Sequence, residues 1–171
     1  MGPFTDIKFH PVGQGLFTSI EICDENNRKI FSIIFDCGST KSCSRSLRQC
    51  IDKYIDNNSS RKVNLLTLSH LHYDHVSGLT RLLSEIDAET VVLPYLTPLE
   101  RLLVAVSQRP KPLWYYSFLA SPATFLAGLG IRNIVFLTGT GDEVHRNYLA
   151  VPQNHRMNIM VIEKDMLTGL E

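Results

Sequence analysis

The stretch that most restricts this chain is residues 69–79, SHLHYDHVSGL, which places three histidines and an aspartate within the six positions from His70 to His75. It follows the apolar run KVNLLTLS, which reads as a buried strand. It precedes SGLTRLLSEI, whose Leu79, Leu82, Leu83 and Ile86 share one helical face. Side chains alternate between faces along an extended segment, so His70 and His72 point the same way. Two neutral imidazoles converging on one side suit a borderline ion such as zinc. Asp74 and His75 come where the chain turns from strand to helix, and a turn there directs both toward a second, neighbouring metal position. Two ions so placed share a hydroxide and stabilise charge on the oxygen under attack. A single histidine in a loop is ordinarily a solvated side chain. Four potential ligands at this spacing, between an apolar strand and Gly78, are a different matter.

The rest of the chain sets the bounds. Its 171 residues suffice for one domain with a real core, and 44% apolar content is ordinary for a globular protein. The 17 basic and 17 acidic side chains cancel, so no whole-molecule field draws it to nucleic acid or to an anionic membrane. The start, MGPFTDIKFH, has no basic stretch leading into an apolar one, and Asp6 stands where a myristoylation signal needs Ser or Thr. No run of about 18 apolar residues exists to span a bilayer. Cys23, Cys37, Cys43 and Cys50 are not spaced as a metal knuckle and read as reduced thiols. The compartment expected is the cytoplasm, with no membrane partner.

Strands are expected at 7–9, 16–23, 30–36, 63–69, 90–94, 132–137 and 157–163, with a further short one at 148–151. Leu47, Cys50, Ile51, Tyr54 and Ile55 predict a helix over 44–56, and a second is expected over 77–86. Residues 96–130 are helical but divided by Pro98, Pro110, Pro112 and Pro122. They carry Trp114, Tyr115, Tyr116, Phe118 and Phe125, either as core packing or as a wall or self-association face. Arg101, Arg109 and Lys111 lie in the same segment but do not form a basic track.

HLHYDH matches H-x-H-x-D-H, and the sequence resembles the metallo-β-lactamase superfamily. VGQGLFTSIEI followed by FSIIFDCGS resembles the version of that fold in competence-type DNA-uptake proteins and their stand-alone relatives. The resemblance implies an α+β architecture, the four-layer αββα sandwich. Two sheets lie face to face with helices outside, and metal sits at one edge. It implies zinc, one or two ions, with manganese or iron as substitutes. It also places Asp36 beneath the metal as a residue that supports the ligands.

A full dinuclear site in that superfamily takes a further His, an Asp from a T-G-D strand end, and a final His. Aligning PQNHRMNIMVI with the segment bearing the first of these makes His155 a ligand candidate, and Leu170 then stands where the bridging Asp belongs. The other alignment uses Asp142, with His145 or His155 following. The chain is therefore expected to be a single domain over 1–171, the N-terminal portion of the fold and incomplete at its C-terminus. The ligand set is His70, His72, Asp74, His75 and His155, with Asp74 also orienting the nucleophile or taking its proton. The activity implied is a hydrolase acting through metal-bound hydroxide on a phosphodiester or nucleotide, whether a small molecule or a nucleic acid. The alternative is a non-catalytic interaction module that retains a partial metal site.

Overall fold

The computed structural model describes residues 2–108, 110–139 and 157–163. The candidate ligand His155, the alternatives Asp142 and His145, Arg109 and the expected strand at 148–151 lie outside them. The described residues form one seven-stranded sheet whose spatial order follows the chain. The first three strands, β1 (Phe4–Phe9), β2 (Gly15–Cys23) and β3 (Lys29–Ser39), make an antiparallel meander. The Asp24 carboxylate closes the second turn by accepting from the Asn26 and Arg28 backbone N–H groups at 2.9 and 2.8 Å. From β3 onward the pairing is parallel, through β4 (Lys62–Thr67), β5 (Asp87–Pro94), β6 (Asn133–Thr138) and β7 (Asn158–Glu163).

Parallel neighbours need crossovers, and helices supply those from β3 to β6. They are α1 (Ser44–Asn57), the short α2 (Tyr73–Val76) and α3 (Leu79–Leu83), then α4 (Pro98–Ser107), α5 (Leu113–Ala120) and α6 (Pro122–Gly128). Right-handed crossovers that all step the same way put their helices on one face of a sheet. The burial pattern agrees. Ile34, Leu66, Val91, Leu93 and Ile134 alternate with half-open positions and are fully buried beneath Ile51, Leu79, Leu82, Tyr115, Phe118 and Leu126. The opposite face presents Phe31, Phe35, Leu137 and Met160 more than a third exposed. The α+β class is thus realised among the described residues as one sheet with helices on one side.

The helix α1 follows its expected apolar spacing, with Leu47, Ile51, Tyr54 and Ile55 buried. The second expected helix differs. It starts earlier, at Tyr73, and breaks after Val76. The break has a local cause. The Gly78 N–H leaves the helical ladder and donates to the Cys37 carbonyl at 2.8 Å, while Ser77 exchanges hydrogen bonds with the Ser39 backbone at both ends, each 2.9 Å. Two turns of helix are thereby stitched to the end of β3.

In the 96–130 segment the aromatic residues largely face inward. Tyr115 and Phe118 are fully buried, and Trp114 packs on Phe125 with ring centroids 6.0 Å apart. The outward apolar surface is instead on α4, capped by a Thr97–Glu100 box, where Leu99, Leu102, Leu103 and Val106 are all at least half exposed.

The contact between α2 and the β2–β3 hairpin leaves no room for side chains. A Cβ on Gly38 would lie 2.5 Å from the His75 carbonyl carbon, and one on Gly15 would run into the backbone of Gly38 and Asp74. Gly38→Ala is therefore expected to lower unfolding free energy by about 2–4 kcal/mol, read from urea denaturation. An unchanged midpoint would mean that this approach is not close.

Candidate metal centre

The centre is built on a kink in β3. Between Thr18 and Phe17 the pairing register slips, so that Phe35 and Cys37 have partners on β2 and Asp36 does not. Asp36 takes a left-handed backbone conformation, φ 55°, in which a non-glycine residue is uncommon and Asp is among the better tolerated. This turns its carboxylate under the loop that follows β4. The group is completely buried and fully occupied. It accepts from the Ser69 backbone N–H at 2.7 Å, from the Ser69 hydroxyl and from the His75 ring at Nδ1, 2.7 Å away.

These bonds decide how two histidines present themselves. An ionised carboxylate only accepts, so His75 carries its proton on Nδ1 and leaves Nε2 free. Ser69 has a single hydroxyl proton, given to Asp36. Toward His70 Nδ1, 2.9 Å away, Ser69 therefore accepts, and His70 too keeps Nε2 free. One buried aspartate thus fixes both ring tautomers, directly for His75 and through Ser69 for His70. Burial, reinforced by the neighbouring His75 and His72 rings, holds His70 below the ordinary imidazole pKa, which keeps it neutral and able to ligate.

The donor atoms converge. One donor atom each from His70, His72 and Asp74 lie within 4.8 Å of one another, and so do donors from Asp36, His70 and His75. The His70 ring centroid stands 4.9 Å from His72 and 3.7 Å from His75. Asp74 Oδ2 is 3.7 Å from His75 Nε2. The sequence suggested that His70 and His72 form one position and Asp74 with His75 a second. Asp74 borders both, lying in the group with His70 and His72 and 3.7 Å from His75 Nε2. Four side chains with free lone pairs, two of them held by hydrogen bonds at the far ring nitrogen, suit a divalent ion of zinc type.

Two supports of the loop had no signal strong enough to single them out. Ser69 was visible only as a flank of the motif. Tyr115, 44 residues further on, donates its hydroxyl to the Leu71 carbonyl at 2.9 Å and so ties α5 to the middle of the motif. Tyr73 lies edge-on to Tyr115 with centroids 5.3 Å apart, and the Lys111 ammonium sits 4.7 Å above the Tyr73 ring. His10 stacks on Phe17 at 4.1 Å and pairs with Ser19, so it belongs to the N-terminal hairpin and not to this centre.

Among solved structures the chain is similar to a metallo-beta-lactamase from Cronobacter sakazakii, with 19% identity and a TM-score of 0.34 over 59% of this chain and 37% of that one. It is also similar to MEM-A1, a subclass B3 metallo-beta-lactamase from a soil metagenome library, with 23% identity and a TM-score of 0.30 over 54% and 32%. A third is a long form RNase Z from yeast, with 15% identity and a TM-score of 0.39 over 82% and 19%. The chain thus spans about a third or less of the length of these structures. No curated protein matches it significantly. The sequence profile described as Metallo-beta-lactamase superfamily matches residues 31–163, well over half of the chain. With the motif, its buried aspartate and this match together, the chain belongs to the metallo-beta-lactamase superfamily.

Proposed function

We propose that this protein is a metal-dependent hydrolase whose ion is held by His70, His72, Asp74 and His75, with a phosphodiester or nucleotide as substrate. The observation that carries the reading is the clustering of one donor atom each from His70, His72 and Asp74 within 4.8 Å. Asp36 and Ser69 hold the free ring nitrogens of His75 and His70 toward that cluster. A divalent ion of zinc, manganese or iron type held by these residues would supply an acidified water and Lewis-acid stabilisation of the oxygen under attack.

The chain's own residues do the rest. Asp74, half-buried at the start of α2, has one carboxylate oxygen beside His75 and the other free to orient the attacking water or accept its proton. Asp36 keeps the imidazoles in one tautomer, so no reorganisation is needed when charge develops. The Tyr115–Leu71 bond and the Tyr73–Tyr115 contact hold the loop against α5, which gives the site a rigid wall. The substrate class follows from the likeness of VGQG and FDCGS to DNA-uptake proteins, and Lys111 above Tyr73 offers a cation close to the motif. His155 completes the ligand set in this reading. In this proposal self-association of the 96–130 segment runs through the outward α4 stripe of Leu99, Leu102, Leu103 and Val106, since Tyr115 and Phe118 are buried.

Three measurements test this. Purified protein is expected to carry zinc, manganese or iron by elemental analysis, and the double change His70→Ala with His72→Ala is expected to abolish it; unchanged metal content sinks the site assignment. Asp36→Ala is expected to weaken metal affinity about 10–100-fold in a chelator competition, although Asp36 itself needs no metal contact. Hydrolysis of a generic phosphodiester should fall at least about 100-fold in Asp74→Ala. A protein that binds metal yet turns over no phosphodiester is the interaction module instead.

A further inference from the structure

Three buried polar atoms among the described residues have no hydrogen-bond partner: the Tyr95 hydroxyl, the Arg101 Nε and the Thr138 hydroxyl. They are not scattered. Tyr95 immediately follows β5, and its N–H donates to the Leu137 carbonyl at 2.7 Å. With Pro94 opposite Leu137, Tyr95 and Thr138 are the next pair along the two parallel strands. Alternation puts both on the helix-covered side, where Leu93 and Phe136 also lie, and both are more than nine-tenths buried. Arg101, in the second turn of α4, is half-buried close to Tyr95.

Orphaned buried donors are rare because each costs the desolvation of a polar group, and a guanidinium costs most. Among the described residues nothing local repays it. The nearest carboxylate in sequence, Glu100, is spent on the Thr97 N–H and hydroxyl at 2.7 and 2.8 Å. Desolvation is the largest influence on Arg101, and it acts to lower its basicity. A water could satisfy two hydroxyls but would leave the cation unbalanced. An oxyanion satisfies the charge and all three donors together.

We propose that Tyr95, Arg101 and Thr138 form an oxyanion-binding subsite for a phosphate group at the C-terminal ends of β5 and β6. The metal-site motif follows β4, the neighbouring parallel strand, so the subsite lies on the same edge of the sheet as His70, His72 and Asp74. The phosphate is either free or a non-scissile phosphate of a longer substrate, and only the second source rests on the hydrolase reading.

The test uses the whole chain, freed of metal by a chelator, so that phosphate has no ion to bind. Inorganic phosphate is titrated by calorimetry and by thermal shift into the unaltered protein, Arg101→Met, Arg101→Lys, Thr138→Val, and the protein with both His70→Ala and His72→Ala. Unaltered protein and the histidine variant are expected to bind phosphate alike. Arg101→Met should bind at least about 10-fold more weakly, Thr138→Val about 3–10-fold, and Arg101→Lys between Arg101→Met and the unaltered protein. In phosphate-free buffer Arg101→Met should melt no lower than the unaltered protein, because it removes an unpaired buried donor; this separates lost binding from lost folding. Equal phosphate affinity in all the variants, or no binding by the unaltered protein, overturns the subsite. With metal restored, the ratio of KM for dinucleotides with and without a 5′-phosphate distinguishes the sources. A ratio that shifts in Arg101→Met assigns the anion to the substrate, and an unshifted ratio with weakened phosphate binding assigns it to free phosphate. Absence of hydrolysis would sink the enzyme reading and leave the binding measurement intact.

Discussion

The Asp36 carboxylate is the interaction on which the rest of the centre depends. A buried ionised carboxylate costs several kcal/mol unless its lone pairs are taken up. Here the Ser69 N–H, the Ser69 hydroxyl and the His75 ring take them up. The cost therefore works as a constraint. The loop after β4 has to come to Asp36, and the two histidines have to keep the tautomers that leave Nε2 open. Asp36 can reach that position only because β3 slips its register there and the residue accepts a left-handed conformation. The strain of one backbone kink is converted into the orientation of two imidazoles.

The same kink explains the glycines around it. Turning β3 under the motif brings α2 down onto the hairpin, so Gly38 and Gly15 face the Asp74 and His75 backbone with no space for a Cβ. Gly78 then donates out of its helix to Cys37. The sequence pairs D-C-G in one strand with H-Y-D-H-V-S-G in the next crossover, and the structure shows these as two sides of one contact.

Legibility in the sequence followed how local each signal was. Strand and helix positions were readable because apolar periodicity is local, and β2, β3, α1, β4, β5, β6 and β7 lie within a few residues of expectation. The motif was readable because its donors fall within six residues. The break at Gly78 was not, since it depends on a hydrogen bond to residue 37, and a helix pattern carries no trace of such a partner. Asp74 and His75 were read as lying where the chain turns, and α2 does begin at Tyr73, just before them. The role of Tyr115 was hidden altogether, because an aromatic in an apolar helix reads as core whether or not its hydroxyl finds a carbonyl 44 residues away.

The sheet itself explains why chemistry gathers at one edge. The strand β3 is the pivot: it pairs antiparallel with β2 on one side and parallel with β4 on the other. From there to β6 every strand ends at the same edge, and each connection leaves that edge by a loop before its helix returns over one face. Asp36 near the end of β3, the His70–His75 turn after β4, Tyr95 after β5 and Thr138 at the end of β6 are therefore brought into line by topology, before any side chain is chosen. In an antiparallel sheet alternate strand ends would face opposite ways and this row could not form. The parallel half of the sheet makes a shared edge, and the buried aspartate at its pivot determines which loop along that edge presents free imidazole nitrogens.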